Sequence, residues 1–236
     1  MRRIEFPRLH ELRDTLPTPL PPDAYFHDCD STLAESPQKR RQFRDIESDL
    51  QSLDPEAWAF LKAELTRLLT AKHPKRGWQQ LFDKLNQAKG YRYLVACGCT
   101  NVRFIPESKM NGQRSPDLQG NLEGILTLCE VKTINVSDEE ADRFYGHRAF
   151  EVTDQLSEGF FTKLASTLRD AEAQMNAFSQ AAGVRKMAYV IVNFDDRLGE
   201  YADRYRAQID ERHSKITPPD IEVELDIKPA FYTAMS

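Results

Sequence analysis

One hairpin limits what this chain can fold into. Between Ser115 and Ile134 the sequence reads SPDLQGNLEGILTLCEVKTI, placing acids and a lysine in a largely apolar run. Successive side chains of a β-strand point to opposite faces. Glu130 and Lys132 therefore share one face, and Cys129 and Val131 share the other. A carboxylate and an ammonium on an apolar strand face are costly to bury without partners. A two-residue loop on Glu123-Gly124 pairs Leu122 with Ile125 and, five steps further out, Asp117 with Glu130, with Cβ atoms roughly 5 Å apart. Like charges that close repel unless a cation sits between them. A turn at Gly120-Asn121 instead pairs Asp117 with Gly124 and disperses the cluster. The turn residues permit either register.

Around this hairpin the 236 residues, 40% apolar and 29% charged, are enough for one α/β domain with an extension or for two small domains. No apolar run approaches the roughly 20 residues of a membrane span, and no signal peptide is expected at Met1-Arg2-Arg3-Ile4-Glu5. Cys29, Cys97, Cys99 and Cys129 have no zinc-site spacing. Reduced, mostly buried thiols in a cytoplasmic protein are expected. The net charge of −5 excludes a uniformly basic surface, though not a local basic groove. Two segments are locally basic: Lys39-Arg40-Arg41 with Arg44, and Lys72-His73-Pro74-Lys75-Arg76. Each is read first as a solvated helix face or a linker.

Residues 1 to about 35, with Pro7, Pro17, Pro19, Pro21 and Pro22, read as an irregular surface strap. Helices follow from Ser36 to about Leu53, from Asp54-Pro55 to about Ala71, and from Trp78 to Ala96 with Gly98 as a left-handed stop. The period then changes. A short strand is expected at 102–106, then the Asp117 strand, and then a long strand from Leu126 to Ile134. Residues 135–155 read as a loop or broken helix. A strong helix from about Glu158 to Ala181 carries an apolar row (Phe161, Leu164, Leu168, Ala171, Met175 and Phe178) beside a polar row of Lys163, Thr167, Asp170 and Gln174. A buried strand at 186–194, a helix at 201–213 and a strand at 221–227 complete the pattern.

Pro116-Asp117 and Glu130-Val131-Lys132, in the order helix, three strands, helix, strand, resemble the PD-(D/E)XK nuclease superfamily over about residues 78–195. The resemblance implies an α/β, restriction-endonuclease-like core with a mixed central sheet flanked by helices. It further implies an N-terminal strap and helical extension over 1–76 and a nuclease-like domain over 77–236. Asp117 and Glu130, with the Val131 carbonyl nearby, would be ligands of Mg²⁺ or Mn²⁺. Lys132 would position or deprotonate the attacking water or stabilise charge at the phosphate. Gln174 would face the metal site, and Lys163 is a candidate phosphate contact. Many family members also place a glutamate on the first core helix, where this chain offers Gln80, Asp83, Asn86 or Gln87, of which only Asp83 is acidic. DNA is the implied partner, in defence, restriction or repair, and a nuclease that cuts both strands commonly works as a homodimer.

The chemistry of the residues agrees with that implication. Phosphodiester hydrolysis needs an activated water and neutralisation of charge building on phosphorus, which a hard cation on two carboxylates supplies. Two other readings stand beside it. One is a catalytically silent binding module of the same fold, favoured by the negative charge and the missing helix glutamate; in it Lys132 is a hairpin ion pair. The other rests on His27-Asp28-Cys29-Asp30-Ser31-Thr32, which resembles the nucleophile motif of haloacid-dehalogenase-like phosphatases. That chemistry needs a buried strand ahead of Asp28, whereas the preceding Pro21-Pro22 argues against one. A capping turn before a helix explains Asp28, Asp30 and Ser31 more simply.

Overall fold

A computed structural model describes residues 3–74, 76–107, 115–135, 155–194 and 202–229. The protein is α/β. Its helices are α1 (Pro7–Arg13), α2 (Cys29–Glu35), α3 (Pro37–Gln51), α4 (Pro55–Thr66), α5 (Gln79–Ala96), α6 (Glu158–Phe178) and α7 (Ala202–Ile216). Its strands are β1 (Thr100–Phe104), β2 (Leu118–Leu122), β3 (Ile125–Ile134), β4 (Arg185–Phe194) and β5 (Glu222–Pro229). From α5 to β4 the chain order is the expected helix, three strands, helix, strand. The loop at 135–155 falls almost wholly outside the described residues. The chain divides into two compact units, one ending at Phe104 and the other spanning Ile105–Ala230.

The first unit holds α1 to α5 and β1. Proline opens α1, α3 and α4, where its fixed φ suits the first turn and its missing N–H costs nothing. Asp54 accepts from Ala57 N (2.8 Å) to cap α4, and its other oxygen accepts from Tyr91 Oη (3.0 Å). The N-terminal strap is more ordered than expected. It forms α1, whose Leu9 and Leu12 are buried, and whose Arg8 and Leu9 amides are held by Glu47 on α3 at 3.0 Å each. Two turns are too few to leave a readable helical period, and their stability comes from tertiary packing. An aromatic group is centred on Tyr25, which meets Phe26, Trp78 and Phe82 edge-on and stacks on Phe43.

The second unit is built on β2, β3, β4 and β5. β2 pairs antiparallel with β3, while β3–β4 and β4–β5 are parallel, so the sheet is mixed. Helices α6 and α7 are the two crossovers of the parallel pairs. Leu128 and Ile134 of β3 and Ala188, Val190 and Val192 of β4 pack with Phe161, Leu164, Leu168, Ala171 and Met175 of α6 and Tyr205 and Ile209 of α7. The apolar row read from the sequence of α6 is its core face as far as Met175, whereas Phe178, the last residue of the helix, is exposed. Leu128 lies on the same side of β3 as Glu130 and Lys132, so α6 covers the face that carries both charges. Among the described residues, no helix is long and apolar enough to cross a membrane. All four cysteines are free thiols, with Cys29, Cys99 and Cys129 buried.

The hairpin takes the Glu123-Gly124 turn. Leu122 pairs with Ile125, Gly120 with Thr127 and Leu118 with Cys129, and both turn residues have positive φ (52° and 83°). That is the geometry of a type I′ turn, whose twist matches the flanking strands. Gly124 has open space where a Cβ would stand, so only its backbone conformation demands glycine. Gly124→Ala should cost about 1 kcal/mol in urea denaturation, and Gly124→Asn should recover part of that loss.

Candidate active site

β2, β3 and α6 each bring part of one polar cluster together. Pro116 has no N–H to donate, and the β2–β3 ladder ends just beside it. There Asp117 replaces the ladder with its side chain: Val131 N donates to Asp117 Oδ2 at 2.8 Å, and Asp117 N donates to Glu130 Oε2 at 3.2 Å. The amide of Asp117 thus braces Glu130, and the amide of the residue after Glu130 braces Asp117. Ile105 N donates to the Asp117 carbonyl (2.9 Å), which fixes this backbone from its far side.

Lys132, two residues beyond Glu130 on the same strand face, donates to Glu130 Oε1 at 2.5 Å. Gln174 comes from α6. Its Nε2 donates to Glu130 Oε2 (2.9 Å) and to the Ser115 carbonyl (2.6 Å), and its Oε1 accepts from Lys132 at 3.4 Å. Leu164, Leu168, Ala171 and Met175 seat α6 on the sheet, and Gln174 lies one residue before Met175, at the edge of that face. Its single amide group ties the segment ahead of β2, the acid and the ammonium to one helix.

The electrostatics follow from burial. Glu130 is 3% exposed. Desolvation and the neighbouring Asp117 charge push its carboxyl up to about 7, against the opposing pull of the Lys132 ammonium. Asp117 and Lys132 are half-buried and so reach the surface. Two carboxylates in one cluster, one desolvated and repelled by the other, suit a hard divalent cation. Mg²⁺ keeps several waters and needs only one or two protein carboxylates.

Four of the residues singled out in the sequence therefore meet: Asp117, Glu130, Lys132 and Gln174. Val131 joins through its amide N–H, with its side chain on the opposite face. Lys163 is exposed on α6 and makes no contact with these four among the described interactions. Asp83 lies on α5 in the first unit. The Ser115 carbonyl and the Ile105 amide were not foreseen, because any residue can supply a backbone group and the sequence carries no sign of its use. Among the described residues, no group of three or more His, Cys, Asp or Glu side chains gathers as a metal site.

The other charged motifs are placed differently. Asp28 caps α2 only by position, without a side-chain bond to the helix, and Asp30 lies inside α2 paired with Arg13. No strand precedes them among the described residues, so the buried strand that phosphatase chemistry requires is missing there. Arg40 and Arg44 are both bonded to Glu5, which offsets one of the four positive charges of the first basic segment.

Comparison of the chain with protein-family models, with curated proteins and with solved structures gives no match.

A buried acid that holds its proton longer in the folded chain than in the unfolded one loses stability as pH rises between its two pKa values. For Glu130 that window runs from about 4.5 to about 7, and the loss is complete above it. Relative to Glu130→Gln, the wild type should therefore lose on the order of 3 kcal/mol between about pH 4.5 and pH 7, read from urea midpoints. Parallel pH profiles for the two proteins would mean that Glu130 titrates as an ordinary surface acid.

Proposed function

We propose that this chain is a metal-dependent phosphodiesterase acting on DNA, of the PD-(D/E)XK nuclease kind, with its working site in the second unit. The observation that carries the reading is the reciprocal bracing of Asp117 and Glu130 with Lys132 bonded to the buried acid. A hairpin that merely needed a surface ion pair would gain little from burying a carboxylate at an energetic cost. The mixed sheet with α6 over the charged face is compatible with a restriction-endonuclease-like core, which belongs to the same proposal.

In this reading Asp117 and Glu130 hold Mg²⁺ or Mn²⁺, with the Val131 peptide alongside. The cation, when bound, supplies Lewis-acid activation of water and neutralisation of charge at the scissile phosphate. Lys132 provides a positive charge beside the reacting phosphate or helps position and deprotonate the attacking water. Its ammonium suits this role because it is a compact point charge on a flexible stem with three donors. Gln174 keeps α6, Glu130 and the Ser115 backbone in register, so that the two acids present oxygens to one point. Cutting both strands calls for two such sites and hence for a homodimer, whereas a single copy nicks. Defence, restriction or repair is the context, in a cytoplasmic setting that suits four free thiols.

A second reading is a catalytically silent module of this fold that binds a partner. The specific observation favouring it is that only two acids gather at the site, with no third metal-ligating side chain among the described residues.

One set of assays separates the two. Plasmid, linear, single-stranded and branched DNA are incubated with Mg²⁺ or Mn²⁺, and nicked and linear products are scored. Cleavage should fall at least 100-fold in Asp117→Ala, Glu130→Ala and Lys132→Ala, the scale on which loss of a transition-state charge contact acts. Activity that survives all three substitutions would remove the site, and inactivity of the wild type on every substrate would favour the silent module. Independently of turnover, Mg²⁺ should raise the urea midpoint of the wild type at about pH 8 through linkage. Asp117→Ala should not respond.

A further inference from the structure

The two oxygens of Glu130 are held in different ways. Oε2 accepts from two uncharged donors, Asp117 N and Gln174 Nε2. Oε1 accepts from the Lys132 ammonium at 2.5 Å. Gln174 is fixed in orientation because its Nε2 must donate to Glu130 and Ser115 while its Oε1 faces Lys132. With Oε2 occupied by N–H donors, Oε1 is the oxygen Glu130 can offer to a cation, and a positive charge already sits on it. Two cations on one carboxylate oxygen repel strongly at such short range.

We propose that Lys132 is the resident counter-ion of the Asp117–Glu130 pair and competes with the divalent cation for Glu130 Oε1, so that loading the site frees the ammonium from Glu130 to meet a substrate phosphate. The inference rests on the metal-dependent reading above and adds a regulation to it. Without metal, the lysine is spent on neutralising the buried acid. With metal, that neutralisation is taken over and the lysine becomes available for the DNA backbone. Metal binding and phosphate binding then support one another, although both ligands meet the same small cluster. Gln174 serves as the second rest for the lysine, since its Oε1 already accepts from Nζ.

The test measures Mn²⁺ binding directly, by calorimetry and by electron paramagnetic resonance of the free ion, at about pH 8.5, where Glu130 is ionised. Lys132→Met removes the competing charge while keeping the length of the side chain. It should bind Mn²⁺ at least roughly tenfold more tightly than the wild type, the effect one charge has on a neighbouring ionisation at this range. Lys132→Arg, which keeps the charge, should stay close to the wild type. Unchanged or weaker binding by a folded Lys132→Met would overturn the inference while leaving the metal-dependent reading intact. Absence of Mn²⁺ binding by wild type, Lys132→Met and Lys132→Arg alike would overturn both.

A second measurement leaves Lys132 itself unsubstituted. Acylation of Lys132 in the wild-type chain, followed by mass spectrometry, should speed up several-fold when Mn²⁺ is added, because the ammonium leaves its 2.5 Å bond to Glu130. In Asp117→Ala the rate should not respond to Mn²⁺. A wild-type rate that Mn²⁺ leaves unchanged, in the presence of measured binding, would mean that ion and lysine share Glu130 without competition, against the inference.

Discussion

The burial of one carboxylate organises the second unit. Glu130 lies on the strand face that α6 covers, among residues that otherwise exclude water, and an ionised carboxylate there is tolerated only with partners. Three polar groups answer to it. Asp117 N and Gln174 Nε2 donate to one oxygen and Lys132 to the other, and the carboxyl is still pushed up to about 7. Satisfying its hydrogen bonds has not removed the cost of desolvation. A surface acid would have served a hairpin equally well, so the cost points to use of the group rather than to stability.

The scaffold holds this arrangement with ordinary means. The type I′ turn sets the register of β2 on β3, and a slip by one residue would turn Asp117 to the opposite face. The parallel β3–β4 pair obliges the chain to cross over, and the crossover helix α6 must lie on the sheet to bury its apolar row. Gln174 reaches Glu130 as a consequence, since it adjoins Met175 on the buried side of α6. The chemistry of the cluster therefore rests on three separate decisions of the fold: a turn, a ladder ended by Pro116, and a crossover.

Much of this was legible in the chain. The alternating pattern of β3, the positive-φ turn at Glu123-Gly124 and the apolar row of α6 are local signals, and they placed Asp117, Glu130 and Lys132 on one face. The competing turn at Gly120-Asn121 was compatible with the same residues. The chain takes the other register, in which Leu122 pairs with Ile125 and Leu118 with Cys129. The short helices α1 and α2 escaped notice because two turns leave no period. Their order comes from contacts such as that of Glu47 with the first amides of α1.

The sequence alone determined the type of the elements from α3 onward and the identity of the acids and lysine, because helical periodicity, strand alternation and turn chemistry act over a few residues. Tertiary structure decided that Gln174, forty-two positions beyond Lys132, completes the cluster. It also decided that Glu130 is the buried acid of the pair while Asp117 is only half-buried. The first depends on how α6 is set on the sheet and the second on which residues it covers. Burial sets the energy of a charge, and burial is a property of what lies on top.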